Sequence, residues 1–195
     1  MRTSTNRSAR LPAAACMALL AACAAPPSAE QYLDMRTGAT IFRVSEPLLL
    51  YRRVAGLTDR TATEFALLAP FEVNRAGDYR LYLWLEVADY SLDDESLRSS
   101  MSEIELTVDG AAHRLALATF ERREIGIGEH VYERHSGWGQ SGYYRIDAAL
   151  LTALATAGVI QVAVVPESPP YELASPDPAR GQAMLTMREL AVNPR

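Results

Sequence analysis

The chain has no lysine: all 19 of its basic residues are arginine. That absence excludes a lysine Schiff base and the lysine of a phosphate-binding P-loop. Cysteine is nearly as scarce, with Cys16 and Cys23 only, both near the N-terminus. The rest of the chain therefore has neither a disulfide staple nor a thiolate nucleophile. Histidine occurs three times, as His113, His130 and His135. The apolar run Leu11–Ala22 is 12 residues long and contains Pro12, short of the roughly 20 that a membrane-spanning helix needs.

What is present at the N-terminus has three parts. Arg2, Arg7 and Arg10 supply positive charge, no acid precedes Glu30, and the apolar run then has the length of a secretory h-region. Leu20-Ala21-Ala22-Cys23 closes it. This tetrad resembles the lipobox of bacterial lipoproteins, with a branched residue three before the cysteine and small residues between. The resemblance implies cleavage before Cys23 and acylation of its thiol. Cys16 competes less well, because Ala13 stands where leucine is preferred, and Ala22-Cys23-Ala24 would also serve an ordinary signal peptidase. Ala24 follows the cysteine in place of an aspartate, which in lipoproteins of this type implies the outer membrane. The expected organisation is a signal peptide over 1–22, a tether over 23–30 and a single β-rich periplasmic domain over 31–195. Fully extended, the tether reaches roughly 23 Å. The mature domain resembles uncharacterised proteobacterial lipoproteins, which implies no chemistry.

Removing 1–22 takes away three basic residues and no acid, leaving 16 basic against 24 acidic residues and a net charge of −8. Such a chain is unsuited to nucleic acid or to an anionic lipid surface. Membrane association is expected through the lipid anchor, and another envelope protein is a candidate partner.

Short strands separated by turn signals fill the domain. Thr40–Val44 and Leu48–Arg53 flank Glu46-Pro47, and Glu64–Val73 and Asp78–Ala88 flank Asn74-Arg75-Ala76-Gly77. Tyr79, Leu81, Leu83, Leu85 and Val87 share one face of the second pair by period two. The segment Ser102–Thr119 reads as a hairpin about Asp109-Gly110, because a type I′ turn wants φ > 0 at both central residues. A two-residue loop fixes the register, setting Ile104 against Leu115, Leu106 against His113 and Glu105 against Arg114. Glu129–His135 and Tyr143–Ile146 are further expected strands. Asp147 caps a helix over Ala148–Ala157, Val159–Val165 returns as a buried strand, and five prolines make Pro166–Pro178 an extended loop. A last helix starts at Asp177-Pro178, with Met184, Met187, Leu190 and Ala191 on its inner side. The expected fold is mainly β: an antiparallel β-sandwich-like domain with two short accessory helices.

Candidate sites are few. His130 and His135 are five residues apart, which on a strand puts their imidazoles on opposite faces, so no metal is expected there. The stretch Ser136–Tyr144 interleaves glycines with Trp138, Tyr143 and Tyr144, a candidate binding loop because aromatic rings offer contact area at little rotamer cost. Ser141 lacks the second glycine of a Gly-x-Ser-x-Gly elbow, since Tyr143 occupies that position. The acids Asp93, Asp94 and Glu95 lack EF-hand spacing and read as a solvated loop within Asp89–Met101. Arg52-Arg53 and Arg122-Arg123 could grip an anion, although alternation along a strand would part each pair. The sequence thus points to a non-enzymatic, membrane-anchored binding or assembly module without cofactor or metal, with Cys23 as its one defined functional residue. The rival is a periplasmic hydrolase of an envelope polymer, with its site near Trp138–Tyr144.

Overall fold

In the computed structural model, which describes residues 27–55, 61–89, 92–134, 139–164 and 168–192, Asp109 and Gly110 take φ of 47° and 86°. That is the left-handed pair a type I′ turn demands. The flanking strands, β6 (Glu103–Val108) and β7 (Ala111–Thr119), pair in the expected register, with Ile104 opposite Leu115 and Glu105 opposite Arg114. A second two-residue turn, Ala76-Gly77, joins β4 (Thr61–Arg75) to β5 (Asp78–Ala88). Ala76 sits at φ 51° there, and the Asn74 side chain accepts from the Gly77 N–H at 2.9 Å.

The remaining strands are β1 (Ala29–Leu33), β2 (Thr40–Val44), β3 (Leu48–Ala55), β8 (Gln140–Arg145), β9 (Ile160–Ala163) and β10 (Tyr171–Leu173). All pairings are antiparallel. The order β4-β3-β10-β9-β6-β7-β8-β5 returns to β4, because β4 also pairs with β5, so eight strands close into a barrel. The sandwich expectation is thereby corrected to one closed sheet. Local alternation specifies strands but not partners, and closure depends on contacts such as Leu50 with Leu173 that no local pattern reveals.

β4 is long because one of its edges serves two partners while the other pairs with β5. Its residues 61–68 pair with β3, and Phe71–Asn74 then pair with β2, which carries β1 on its far edge. The tether expectation thus ends early, with Ala29 and Glu30 already in β1.

On β5 the expected face, Leu81, Leu83, Leu85 and Val87, is buried; Tyr79, beside the turn, is exposed. These leucines join Leu50, Leu68, Ile104, Leu106, Val162, Tyr144 and Tyr171 in the main core. An eight-stranded ring leaves an interior that side chains alone can fill. The opposite face of β4 and β5 is covered as well. Phe71, Tyr82, Trp84 and Tyr143 pack there against Ile125, Ile127, Val131 and Tyr132. Residues 129–134, expected as strand, are irregular; they lie across the outer surface, where Tyr132 stacks on Trp84 at 5.1 Å and donates to the Pro70 carbonyl at 2.8 Å.

Three α-helices are present among the described residues rather than two. α2 (Ala148–Thr156) is capped by Asp147, which accepts from the Leu150 N–H, and α3 (Pro178–Val192) buries Met184, Met187 and Ala191. The addition, α1 (Asp94–Ser100), lies in the segment expected to be a solvated loop. Asp93 accepts from Ser96 N–H at 2.7 Å and Asp94 and Glu95 fill the first turn, so this acidic group caps a helix.

α3 crosses α2 closely. A Cβ placed on Gly181 would lie 2.1 Å from the Ala155 carbonyl oxygen. Alanine improves helix propensity by about 1 kcal/mol. Gly181→Ala should nevertheless destabilise the protein by about 1–3 kcal/mol, because backbone must move to admit the methyl. Urea denaturation measures this; an unchanged or raised midpoint would show that the crossing is slack.

Candidate functional site

The chain leaves β7 through Thr119, whose hydroxyl donates to Glu124 and accepts from the Glu121 N–H, both at 2.8 Å. A 3-10 turn, Arg122–Ile125, follows and ends at Gly126 with φ 85°. This local wrapping turns Arg122 back on its own segment. Its Nε donates to the Gly128 carbonyl at 3.1 Å, and its Nη1 lies 3.0 Å from His130 Nε2. A guanidinium only donates, so His130 Nε2 is the acceptor and the ring proton resides on Nδ1. Burial, then Arg122 and Arg134, hold the His130 pKa below its ordinary value. His130 is neutral at neutral pH.

Beside this pair is a cavity of about 160 Å³. Arg122, Arg134 and Arg98 line it from three segments, together with Phe120, Glu121, His130, Gln140, Ser141 and Tyr143. Arg134 donates to the Gly139 carbonyl, and the Arg98 guanidinium stacks 4.5 Å from the Phe120 ring centre. None of the three arginines forms an ion pair among the described residues, whereas Arg36, Arg43, Arg52, Arg80, Arg114, Arg180 and Arg188 all do. The Ser141 Oγ is buried against this cavity without a hydrogen-bond partner among the described residues. Burial chiefly, with Glu121, pushes the Tyr143 hydroxyl up to about 12 against the pull of Arg122 and Arg134. It remains a protonated donor.

The sequence-predicted residues separate here. Tyr143 and Tyr144 are both buried in β8 and do not form an exposed platform. Tyr143 lines the cavity on the outer face, while Tyr144 points into the barrel and donates to the Met101 carbonyl at 2.7 Å. Trp138, His135 and Cys23 lie outside the described residues. The Arg122-Arg123 pair contributes one member to the cavity, from a 3-10 turn and not from the strand on which alternation was expected to part it, and Arg98 joins it from α1. Arg52 and Arg53 are likewise parted, one buried and one exposed.

Arg52 instead enters a buried ionic network inside the barrel. Its Nε donates to Glu64 at 2.7 Å and its Nη2 to Asp89 at 2.6 Å. Its guanidinium lies 4.3 Å from the centre of the Tyr171 ring. Among the described residues, no group of three His, Cys, Asp or Glu side chains is arranged to hold a metal ion. No helix among them is long and apolar enough to cross a membrane.

Fold and site together define a mainly antiparallel β protein with short helices and an arginine-lined surface cavity. Comparison with protein-family models, with curated proteins and with solved structures finds no match to this chain.

Proposed function

We propose that the chain is an envelope lipoprotein, acylated at Cys23 and held at the periplasmic face of the outer membrane. There its domain acts as a non-enzymatic binding or assembly module. The lipobox-like tetrad supports the anchor. The observation that carries the binding reading is the cavity beside Arg122, where donors converge without a reacting pair. Ser141 and His130 both line it, as a hydrolase would need, but His130 Nε2 is engaged by Arg122 and Ser141 has no base hydrogen-bonded to it. That arrangement favours binding over hydrolysis.

More than one acyl chain makes attachment stable, at about 0.8 kcal/mol for each buried methylene. Cys23→Ala should therefore move the protein from the membrane fraction to the soluble one. Mass spectrometry of the mature wild-type N-terminus should show an acylated Cys23. An unmodified terminus at Ala24, or membrane association that survives the substitution, would sink the anchor. Partners retained with the native protein on purification from membranes, together with no turnover of envelope polymers, are the outcomes that fit a binding module.

A further inference from the structure

We propose that the cavity between α1, the 3-10 turn and β8 is a binding site for a phosphomonoester group. The inference rests on reading the chain as a binding module, and it names the chemistry of the ligand. The chain carries a net charge of −5, and −8 once residues 1–22 with their three arginines are removed, so its overall field repels anions and any affinity must come from local groups. Arg98, Arg122 and Arg134 supply three guanidiniums around about 160 Å³, opposed at the rim by the single carboxylate of Glu121.

Two of these arginines are already oriented. Arg122 is held by the Gly128 carbonyl and by His130, and Arg134 by the Gly139 carbonyl. A guanidinium has five N–H donors, so each keeps others for a ligand, and its preset geometry lowers the entropy of capture. The neutral His130 adds no charge and serves to aim Arg122.

The uncharged lining fits the same ligand. The Ser141 hydroxyl is buried with no partner among the described residues, an unmet donor that a ligand oxygen would satisfy. Tyr143 presents a hydroxyl that stays protonated. Donors from three cations and two hydroxyls exceed what the two oxygens of a carboxylate can accept, and they suit a tetrahedral dianion with three terminal oxygens. A cavity of about 160 Å³ has room for that group. Whether the group belongs to a soluble phosphate ester or to a lipid headgroup does not alter this chemistry.

The test is calorimetry on the full chain purified in detergent, at fixed ionic strength. Inorganic phosphate, glucose 6-phosphate and dihexanoyl-phosphatidic acid are titrated, with acetate as the competing anion class. Phosphate should bind saturably at one site and more tightly than acetate. The sugar ester or the lipid, whichever binds more tightly, identifies the source. Arg98→Gln and Arg134→Gln should each weaken binding by about tenfold or more, the equivalent of one charge-assisted hydrogen bond. Arg53→Gln, an exposed arginine elsewhere, should leave it unchanged. If Arg134→Gln does not fold, Arg98→Gln and Ser141→Ala decide, since neither side chain bonds to the backbone there. Phosphate no tighter than acetate, or equal losses with Arg53→Gln, would overturn the site. Failure of the anchor is separable: it gives an unacylated Cys23 with phosphate binding intact, whereas failure of this site gives an acylated chain that does not bind phosphate.

Discussion

Arg52→Ala is expected to cost about 3–5 kcal/mol of folding stability, the range for removing one partner of a buried ionic group. Arg52, Glu64 and Asp89 are each nearly inaccessible to water, with relative exposures of 4%, 3% and 8%. Without the guanidinium, the buried carboxylates of Glu64 and Asp89 would each lose the ion pair to Arg52. The cation–π contact with Tyr171 and the bond to the Pro169 carbonyl would be lost as well. Equilibrium urea unfolding gives the magnitude. Its cause is tested by repeating the substitution in a Glu64→Gln/Asp89→Asn background, where no buried negative charge is stranded. The cost should then fall well below the single-variant value. Equal costs in the two backgrounds would mean that Arg52 acts by filling space, not by compensating charge.

Asp34→Ala should lose on the order of 3 kcal/mol, through several donors left unmet at once. The buried Asp34 carboxylate accepts from the Gly128 and Arg36 N–H groups and from the Thr37 hydroxyl, joining the β1–β2 turn to the segment that leads into the arginine cavity. Burial alone would raise its pKa. The donors from Gly128, Arg36, Thr37 and Glu129 outweigh burial and hold it below the usual aspartate value. A depressed folded-state pKa stabilises the fold above the unfolded-state value, about 3.9, and that contribution is lost as pH falls through the folded-state value. Asp34→Asn keeps one acceptor oxygen but cannot titrate. The stability gap between wild type and Asp34→Asn should therefore be widest near neutrality and close on acidification below about pH 4. A gap that stays constant through that range would show that the charge of Asp34 contributes nothing.

How much of this was legible in the sequence depends on the range of the contacts involved. The β6–β7 hairpin was readable residue by residue, because Asp109-Gly110 sets the register and eighteen neighbouring residues carry the pattern in one stretch, Ser102–Thr119. The cap of α2 at Asp147 was equally local. α1 was missed although its signal was present: Asp93 followed by two acids, with Arg98 in the last turn. β10 had no usable signal, since three residues in a proline-rich segment show no period. The barrel was illegible for the same reason, its closure resting on pairs far apart in sequence. At the cavity, Arg122, His130, Ser141 and Tyr143 all fall in stretches the sequence singled out. Their convergence with Arg98 requires the 3-10 turn and the irregular run after it to fold back over β8, which no local pattern encodes.

A closed sheet behaves mechanically as a hoop, no stronger than its narrowest joint. One such joint is β10, which meets β3 over two residue pairs and β9 over two more, as few as β7 shares with β8, while β4 and β5 share eleven. Arg52 reaches from β3 to Glu64 on β4, to Asp89 just beyond β5, and to the Tyr171 ring and Pro169 carbonyl at β10. The buried charge therefore serves as a rivet through the thin joint, tying it to the widest part of the ring. A barrel that must close with a three-residue strand gains from a side-chain fastening where the backbone ladder is short, and this gives a buried arginine a structural reason to be kept.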